Sequence, residues 1–254
     1  VHFAGQSCDM EALAKLADRY GFKIIEDASH AIGSKWRGNF VGECVYSDIT
    51  VFSFHPVKII TTGEGGVLTT RDPAIAQRLN DLRSHGITRE RSRFESSEQG
   101  EWYYEQQSLG FNYRMTEIQA ALGVSQMKKL DSFIARRHRL SKRYDEALKD
   151  LPLVLPWQHP DGYSAFHLFV ILVGHDSQIN RSKLFEMLRG AGILVNVHYI
   201  PIHLQPYYKR RGFDVGYLPI AEQYYSRAIS LPLHAGLSCS DQDYVIQKVR
   251  DFVL

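Results

Sequence analysis

Cysteine is scarce in this chain. Cys8, Cys44 and Cys239 are odd in number and far apart, and none belongs to a CxxC pair. That excludes a disulfide framework and gives no zinc-site pattern. No apolar run is long enough to cross a bilayer, and no signal-peptide pattern is present. Charge of one sign is lacking too: 30 Lys and Arg face 28 Asp and Glu, for a net +2. Neither nucleic acid nor a membrane surface is therefore an expected partner. The one basic run, Arg136-Arg137-His138-Arg139, reads as a solvated helix face. No GxxxxGK[ST] phosphate loop, internal repeat or low-complexity tract occurs. What remains is an ordinary globular composition, 44% hydrophobic and 23% charged over 254 residues. It is large enough for one big domain or two smaller ones. A reducing cytoplasm is the expected location.

The pattern along the chain alternates strands with helices. Asp9 reads as the N-cap of a helix to about Tyr20, with Met10, Leu13, Leu16 and Ala17 at helical spacing and Gly21 as the stop. Short strands are expected at Phe22–Asp27, Asp48–Phe54 and Gly66–Thr70. Asp72-Pro73 opens a further helix that ends near Gly86. Residues 87–107 read as a long polar loop. Thr116 and Gln119 form a capping-box pattern at the head of a helical stretch from Glu117 to about Leu148, bent near Asp131. This order predicts an α/β fold with a largely parallel sheet. Leu151-Pro152-Leu153-Val154-Leu155-Pro156 reads as a linker. Beyond it, strands at Ala165–Val173 and Ile193–Val197 mix with helices at Arg181–Arg189, Ile220–Ala228 and Ser240–Phe252. The expected domains are residues 1–150 and a smaller α+β unit, 151–254.

The chemistry concentrates in Phe52-Ser53-Phe54-His55-Pro56-Val57-Lys58, followed by Thr62-Gly63-Glu64-Gly65-Gly66. A lysine stands just past an apolar strand, five residues after a serine and before a glycine-rich turn. An amine beside a hydroxyl and backbone donors suits an aldehyde that carries a phosphate, and pyridoxal 5'-phosphate is such a molecule. An imine-forming lysine must be deprotonated part of the time, which partial desolvation favours. Alone, Lys58 could be a surface lysine, Ser53 a mid-strand serine and the glycines a hairpin turn. Asp27 ends an apolar strand, where ligands of open α/β sheets sit. It could keep a pyridine nitrogen protonated, cap the turn Ala28-Ser29-His30, or hold magnesium in an ATPase. The missing phosphate loop weakens the last of these. His30 could contact the cofactor ring or be structural. Asn112-Tyr113-Arg114 precedes a helix start, a place that suits anions, or is a simple entry loop. His198 and His203 lie five apart with no acid between them, so no metal site is expected. Their aromatic surroundings, Tyr199 included, suit a sugar-sized ligand or core packing.

Four ordered motifs together resemble the DegT-type sugar aminotransferases, pyridoxal-phosphate enzymes of fold type I. They are Ile25-Glu26-Asp27-Ala28-Ser29-His30-Ala31-Ile32-Gly33, Ser53 to Lys58 with Thr62 to Gly66, Gly110-Phe111-Asn112-Tyr113-Arg114-Met115-Thr116, and Val197-His198-Tyr199-Ile200-Pro201. The resemblance covers nearly the whole chain. It implies that Lys58 forms the Schiff base with the cofactor, Asp27 holds the ring nitrogen and Ser53 binds the phosphate. It implies that Asn112 reaches a second subunit's cofactor, so that a homodimer shares its active sites; His30 is carried as a cofactor-binding candidate from its place after Asp27. His198, Tyr199 and Arg114 would lie near substrate. The implied reaction passes nitrogen from L-glutamate to a UDP-linked 4-keto-6-deoxy sugar, in pseudaminic acid or related surface-glycan synthesis. Rival readings are a 3-dehydratase, which carries histidine where Lys58 stands, and a non-catalytic regulator or inactive fragment. The opening Val1-His2-Phe3-Ala4-Gly5 lacks an initiator methionine and reads like the end of a strand. The chain is expected to be a fragment, and the resemblance implies an upstream segment of roughly 100 residues.

Overall fold

The computed structural model describes residues 1–97 and 99–254. Two compact units emerge. One holds residues 1–2 and 7–129, the other residues 3–6 and 130–254.

In the first unit, α1 (Met10–Tyr20) starts where Asp9 accepts the Ala12 amide at 3.0 Å. It stops at Gly21, whose φ of 71° lets its amide return to the Ala17 carbonyl. Strand β1 (Ile25–Asp27) is followed by a small hairpin of β2 (Lys35–Trp36) and β3 (Asn39–Phe40). Then come β4 (Ile49–Ser53) and β5 (Gly66–Thr69), in the sheet order β1-β4-β5. β1 and β4 are parallel, with Asp27 opposite Val51. β5 returns antiparallel to β4, because residues 54–65 form a tight connection with no crossover helix. α2 (Pro73–Arg83) is capped by Asp72. The expected loop at 87–107 is closed at its base by a short hairpin of β6 (Ile87–Thr88) and β7 (Glu105–Gln106). α3 (Glu117–Met127) opens on a formed Thr116–Gln119 capping box.

A buried carboxylate holds β1 in place. Glu26 accepts hydrogen bonds from the Thr50 hydroxyl at 2.9 Å and from the Ser47 hydroxyl, and it meets His2 Nε2 at 2.6 Å. The His2 amide donates to the Asp27 carbonyl at 2.9 Å, and His2 Nδ1 accepts the Cys8 amide at 3.1 Å. Burial alone would raise the Glu26 pKa. The bonds from His2, Ser47 and Thr50 outweigh it and hold the group below the usual carboxylate range.

The second unit begins with α4 (Leu130–Leu148) and continues through β8 (Leu153–Val154), β9 (Gly162–Tyr163), β10 (Phe169–Val173) and α5 (Arg181–Gly190). Then come α6 (Pro206–Lys209), α7 (Pro219–Arg227), β11 (Ala228–Leu231) and α8 (Cys239–Val253). Its sheet is antiparallel, in the order β11-β10-β8. The expected division lay at the Pro152–Pro156 segment, whereas the compact units divide between Lys129 and Leu130. The reason is α4: Leu140, Tyr144 and Leu148 are fully buried in one core with Phe169, Ile171 and Ile229. Residues 3–6 also join this unit. The Ala165 and Leu168 amides donate to the Gly5 and Ala4 carbonyls, and a Cβ at Gly5 would lie 2.8 Å from the Phe166 nitrogen.

Two sequence expectations fail here. Ile193–Val197 is not a strand; Ile193 and Val195 are buried, but only the isolated bridge from Asn196 to Ser230 forms. Arg137 does not lie on a solvated face. It is 5% exposed, and its guanidinium donates to the Phe166, His167 and Leu233 carbonyls at 2.8–3.1 Å. Burial pulls its pKa down to about 10, so it stays charged at neutral pH. The run misled because Arg136 and Arg139 beside it do reach solvent.

Leu140→Ala should destabilise the second unit by about 3 kcal/mol, read as a lower denaturant midpoint. A loss under about 1 kcal/mol would mean that α4 is not part of this core.

Candidate functional site

Parallel pairing sets the carboxyl ends of β1 and β4 side by side, the edge where open α/β sheets present ligands. Asp27 is the last residue of β1 and Ser53 the last of β4. The Ala28 amide still bonds the Val51 carbonyl at 2.8 Å, so Asp27 leaves the sheet from a fixed backbone. Its Oδ1 accepts the Ser29 amide at 3.0 Å, a local turn that orients the carboxylate. Burial would raise the Asp27 pKa, but the bonds from Ser29 and the nearby His30 ring bring it below the usual value. His30 itself is buried.

Lys58 follows a turn over His55–Lys58. Pro56 presets its second position, and the Lys58 amide closes it on the His55 carbonyl at 2.9 Å. Ile59 and Ile60, directly afterwards, are buried and anchor the chain behind the lysine. Lys58 is half-buried. Burial lowers its pKa, the Asp27 charge raises it, and the net shift is downward. The structure thus couples a carboxylate that stays ionised with an amine that loses its proton more readily than an ordinary lysine. Ser53 Oγ accepts only a long 3.4 Å bond from the His55 amide, so the fold makes little use of that hydroxyl.

The glycine segment is more than a hairpin turn. The Phe54 amide donates to the Gly65 carbonyl at 2.9 Å, while the Thr62 amide and the Thr61 hydroxyl both bond the Phe54 carbonyl. Gly65 has φ 153°, and a Cβ there would lie 2.7 Å from Met115 Cε. At Gly66 a Cβ would lie 2.7 Å from the Phe52 carbonyl oxygen. The segment therefore packs beneath the residues that start α3, and only glycine fits.

The remaining sequence candidates stand on other segments. Asn112 and Arg114 are exposed. Their segment is laid along the end of α2: Phe111 and Tyr113 amides donate to Leu82 and Arg83 carbonyls, and Asn112 bridges Ser84. His198 and Tyr199 belong to the second unit. His198 Nδ1 lies 2.7 Å from Ser230 Oγ, and the half-exposed Tyr199 ring meets Phe3 edge-on at 6.2 Å. His203 is committed to structure, with Nε2 2.8 Å from Glu222, whose carboxylate also accepts the Gly216 and Leu218 amides. Sequence reasoning missed Glu26 and His2. The signal was there, an acidic residue at an inward position of an apolar strand directly before Asp27.

The architecture is α/β, with a carboxylate, a hydroxyl and a softened lysine at the carboxyl edge of a parallel strand pair. Residues 1–250 match the DegT/DnrJ/EryC1/StrS aminotransferase family, and the chain belongs to that family. It is 40% identical over 258 residues to the spore coat polysaccharide biosynthesis protein SpsC of Bacillus subtilis, covering 100% of this chain and 65% of that protein. It is 35% identical over 246 residues to the UDP-4-amino-4,6-dideoxy-N-acetyl-beta-L-altrosamine transaminase of Campylobacter jejuni, covering 96% of this chain and 62% of the relative. Among solved structures, Helicobacter pylori PseC, an aminotransferase involved in the biosynthesis of pseudoaminic acid, superposes with a TM-score of 0.88. The identity there is 33%, over 99% of this chain and 65% of that one. The chain thus spans a little under two-thirds of the length of these relatives.

Lys58 should acylate at lower pH than the exposed lysines in competitive labelling with acetic anhydride, read by mass spectrometry. Asp27→Asn should lower its titration point further, because the carboxylate favours the ammonium form. A rise instead would break the Asp27–Lys58 coupling.

Proposed function

We propose that this chain carries the reactive lysine of a pyridoxal-phosphate-dependent sugar aminotransferase. The observation that carries the reading is the coupling of Lys58 to Asp27 at the carboxyl edge of β1 and β4. The donor set fits the cofactor: an amine of lowered pKa for an aldehyde, an ionised carboxylate for a pyridinium, and an under-used hydroxyl for a phosphate. When bound, the cofactor supplies an electron sink for the carbanion formed at the donor's α-carbon. Lys58 Nζ would move the proton from that carbon to the cofactor carbon within the donor half, and would move one from the cofactor carbon to the acceptor carbon in the other half, acting as base and then acid in each. Asp27 would hold the ring nitrogen protonated, His30 would serve the ring, and Ser53 Oγ would donate to the phosphate.

The amino donor is L-glutamate and the acceptor a UDP-linked 4-keto-6-deoxy sugar, in pseudaminic acid or related surface-glycan synthesis. The names of the Campylobacter and Helicobacter relatives support this choice. His198, Tyr199 and Arg114 bind the sugar nucleotide. Asn112 serves the cofactor of a second copy, so the active form is a homodimer. Apolar exposure around that residue supports the pairing: Leu109 is 88% exposed and Ile118, on α3, 84%. The proposed location is the cytoplasm.

Titration with pyridoxal phosphate should give a near-visible absorption band that L-glutamate bleaches and that Lys58→Ala lacks. An unchanged band in Lys58→Ala would end the assignment of this lysine. Ile118→Asp should shift a dimer to monomer in sedimentation velocity; an intact dimer would place the subunit contact elsewhere.

A further inference from the structure

Of the residues of α3, all of them described, only Gly123 is buried. Glycine is a poor choice for the middle of a helix, where it costs about 1 kcal/mol against alanine. What it admits is Thr62. A Cβ on Gly123 would stand 2.9 Å from Thr62 Cγ2, well inside normal carbon–carbon packing distance.

Thr62 has no room to step aside. It is 2% exposed, its hydroxyl donates to the Glu64 carbonyl at 2.7 Å, and its branched side chain is stiff. Its amide donates to the Phe54 carbonyl at 3.0 Å, and the Phe54 amide donates to the Gly65 carbonyl at 2.9 Å. Phe54 and Thr62 therefore close the two ends of one loop. Lys58 stands midway, four residues from each. Between the lysine and Thr62, Ile59 and Ile60 are buried, which leaves that side of the loop little slack. Met115, just before the Thr116 cap of α3, lies against the same loop at Gly65. The reactive segment is thus seated on α3 at two points, and the capping box fixes where α3 begins.

We propose that Thr62, seated against Gly123, is a positioning residue for Lys58, fixing the loop that holds the lysine amine half out of water at the carboxyl edge of β1 and β4. That the amine is the one that reacts rests on the cofactor reading. That Thr62 and Gly123 hold it in place does not. A helix that touches neither Asp27 nor Ser53 thereby sets how readily the amine gives up its proton.

The test reads Lys58 on the whole chain by competitive labelling with acetic anhydride across a pH series. Gly123→Ala should push Thr62 off α3 and let the lysine out towards water. The pH of half-maximal labelling at Lys58 should then move up, toward that of the exposed lysines. Thr62→Ser keeps the hydroxyl and deletes Cγ2, the atom in the way. The double variant Gly123→Ala/Thr62→Ser should therefore return the half-labelling pH to that of the parent. If Gly123→Ala folds and Lys58 labels as in the parent, the proposal is overturned, whatever happens to thermal stability. It is overturned equally if Gly123→Ala shifts the labelling and Thr62→Ser does not reverse it. Should Gly123→Ala fail to fold, Thr62→Val replaces it, keeping the shape and removing the bond to Glu64. An upward shift there supports the route, and an unshifted Lys58 refutes it. Labelling needs no cofactor, so the two readings fail separately. A parent chain that gives no absorption band with pyridoxal phosphate would sink the cofactor reading alone.

Discussion

The buried Glu26 carboxylate is the constraint on which the first unit depends. It sits inside, one residue before the strand ends, and binds His2, Ser47 and Thr50 together. Thr50 is its register neighbour on β4, so the anion locks the parallel pairing as well as the strand's depth. Everything reactive is counted from that lock. Asp27 leaves the sheet next, and Lys58 is delivered by the turn that follows β4. A polar inward residue in a three-residue strand looks wasteful, since burying an unpaired carboxylate is costly. Three partners make it stable and make the register unique.

Local signals in the sequence predict much of this. The helix starts at Asp9, Asp72 and Thr116 were readable because capping uses short-range chemistry between neighbours. The strand–aspartate and serine–lysine–glycine order placed Asp27, Ser53 and Lys58 at a single edge. What depends on distant partners was not readable. Arg137 looks like its exposed neighbours until the carbonyls of residues 166, 167 and 233 surround it. The expected strand at Ile193–Val197 has the right apolar content, but it meets β11 at a single bridge. The linker reading rests on two prolines, while the burial of Tyr144 and Leu148 decides which core α4 joins. The His198–Ser230 contact spans 32 residues, beyond any spacing rule.

Electrostatics at the lysine follows from geometry alone. Partial burial and a neighbouring carboxylate act on Lys58 in opposite directions, and burial prevails. The balance matters because a nucleophilic amine must be free of its proton and still within reach of one. A fully buried lysine would lose the charge that Asp27 attracts, and a fully exposed one would keep its proton at neutral pH. The half-buried position between them is set by Ile59 and Ile60, whose packing decides how far the side chain is withdrawn from water.

Arg137 shows that three arginines in one short basic run can be different objects. Arg139 is exposed, and Arg136 reaches a single carbonyl, that of Leu237, from a half-exposed position. Exchange of either with lysine keeps the charge and loses little. At Arg137 the flat guanidinium spreads its charge over three carbonyl oxygens in a closed space. One nitrogen, Nη1, donates to all three, and a lysine there would bring a more compact and more strongly hydrated charge that burial penalises more. Genetic drift between the two basic residues is thus open at the outer positions and shut at the middle one. A substitution table that treats arginine and lysine as equivalent would misjudge this chain at the one arginine of the run that is sealed from water.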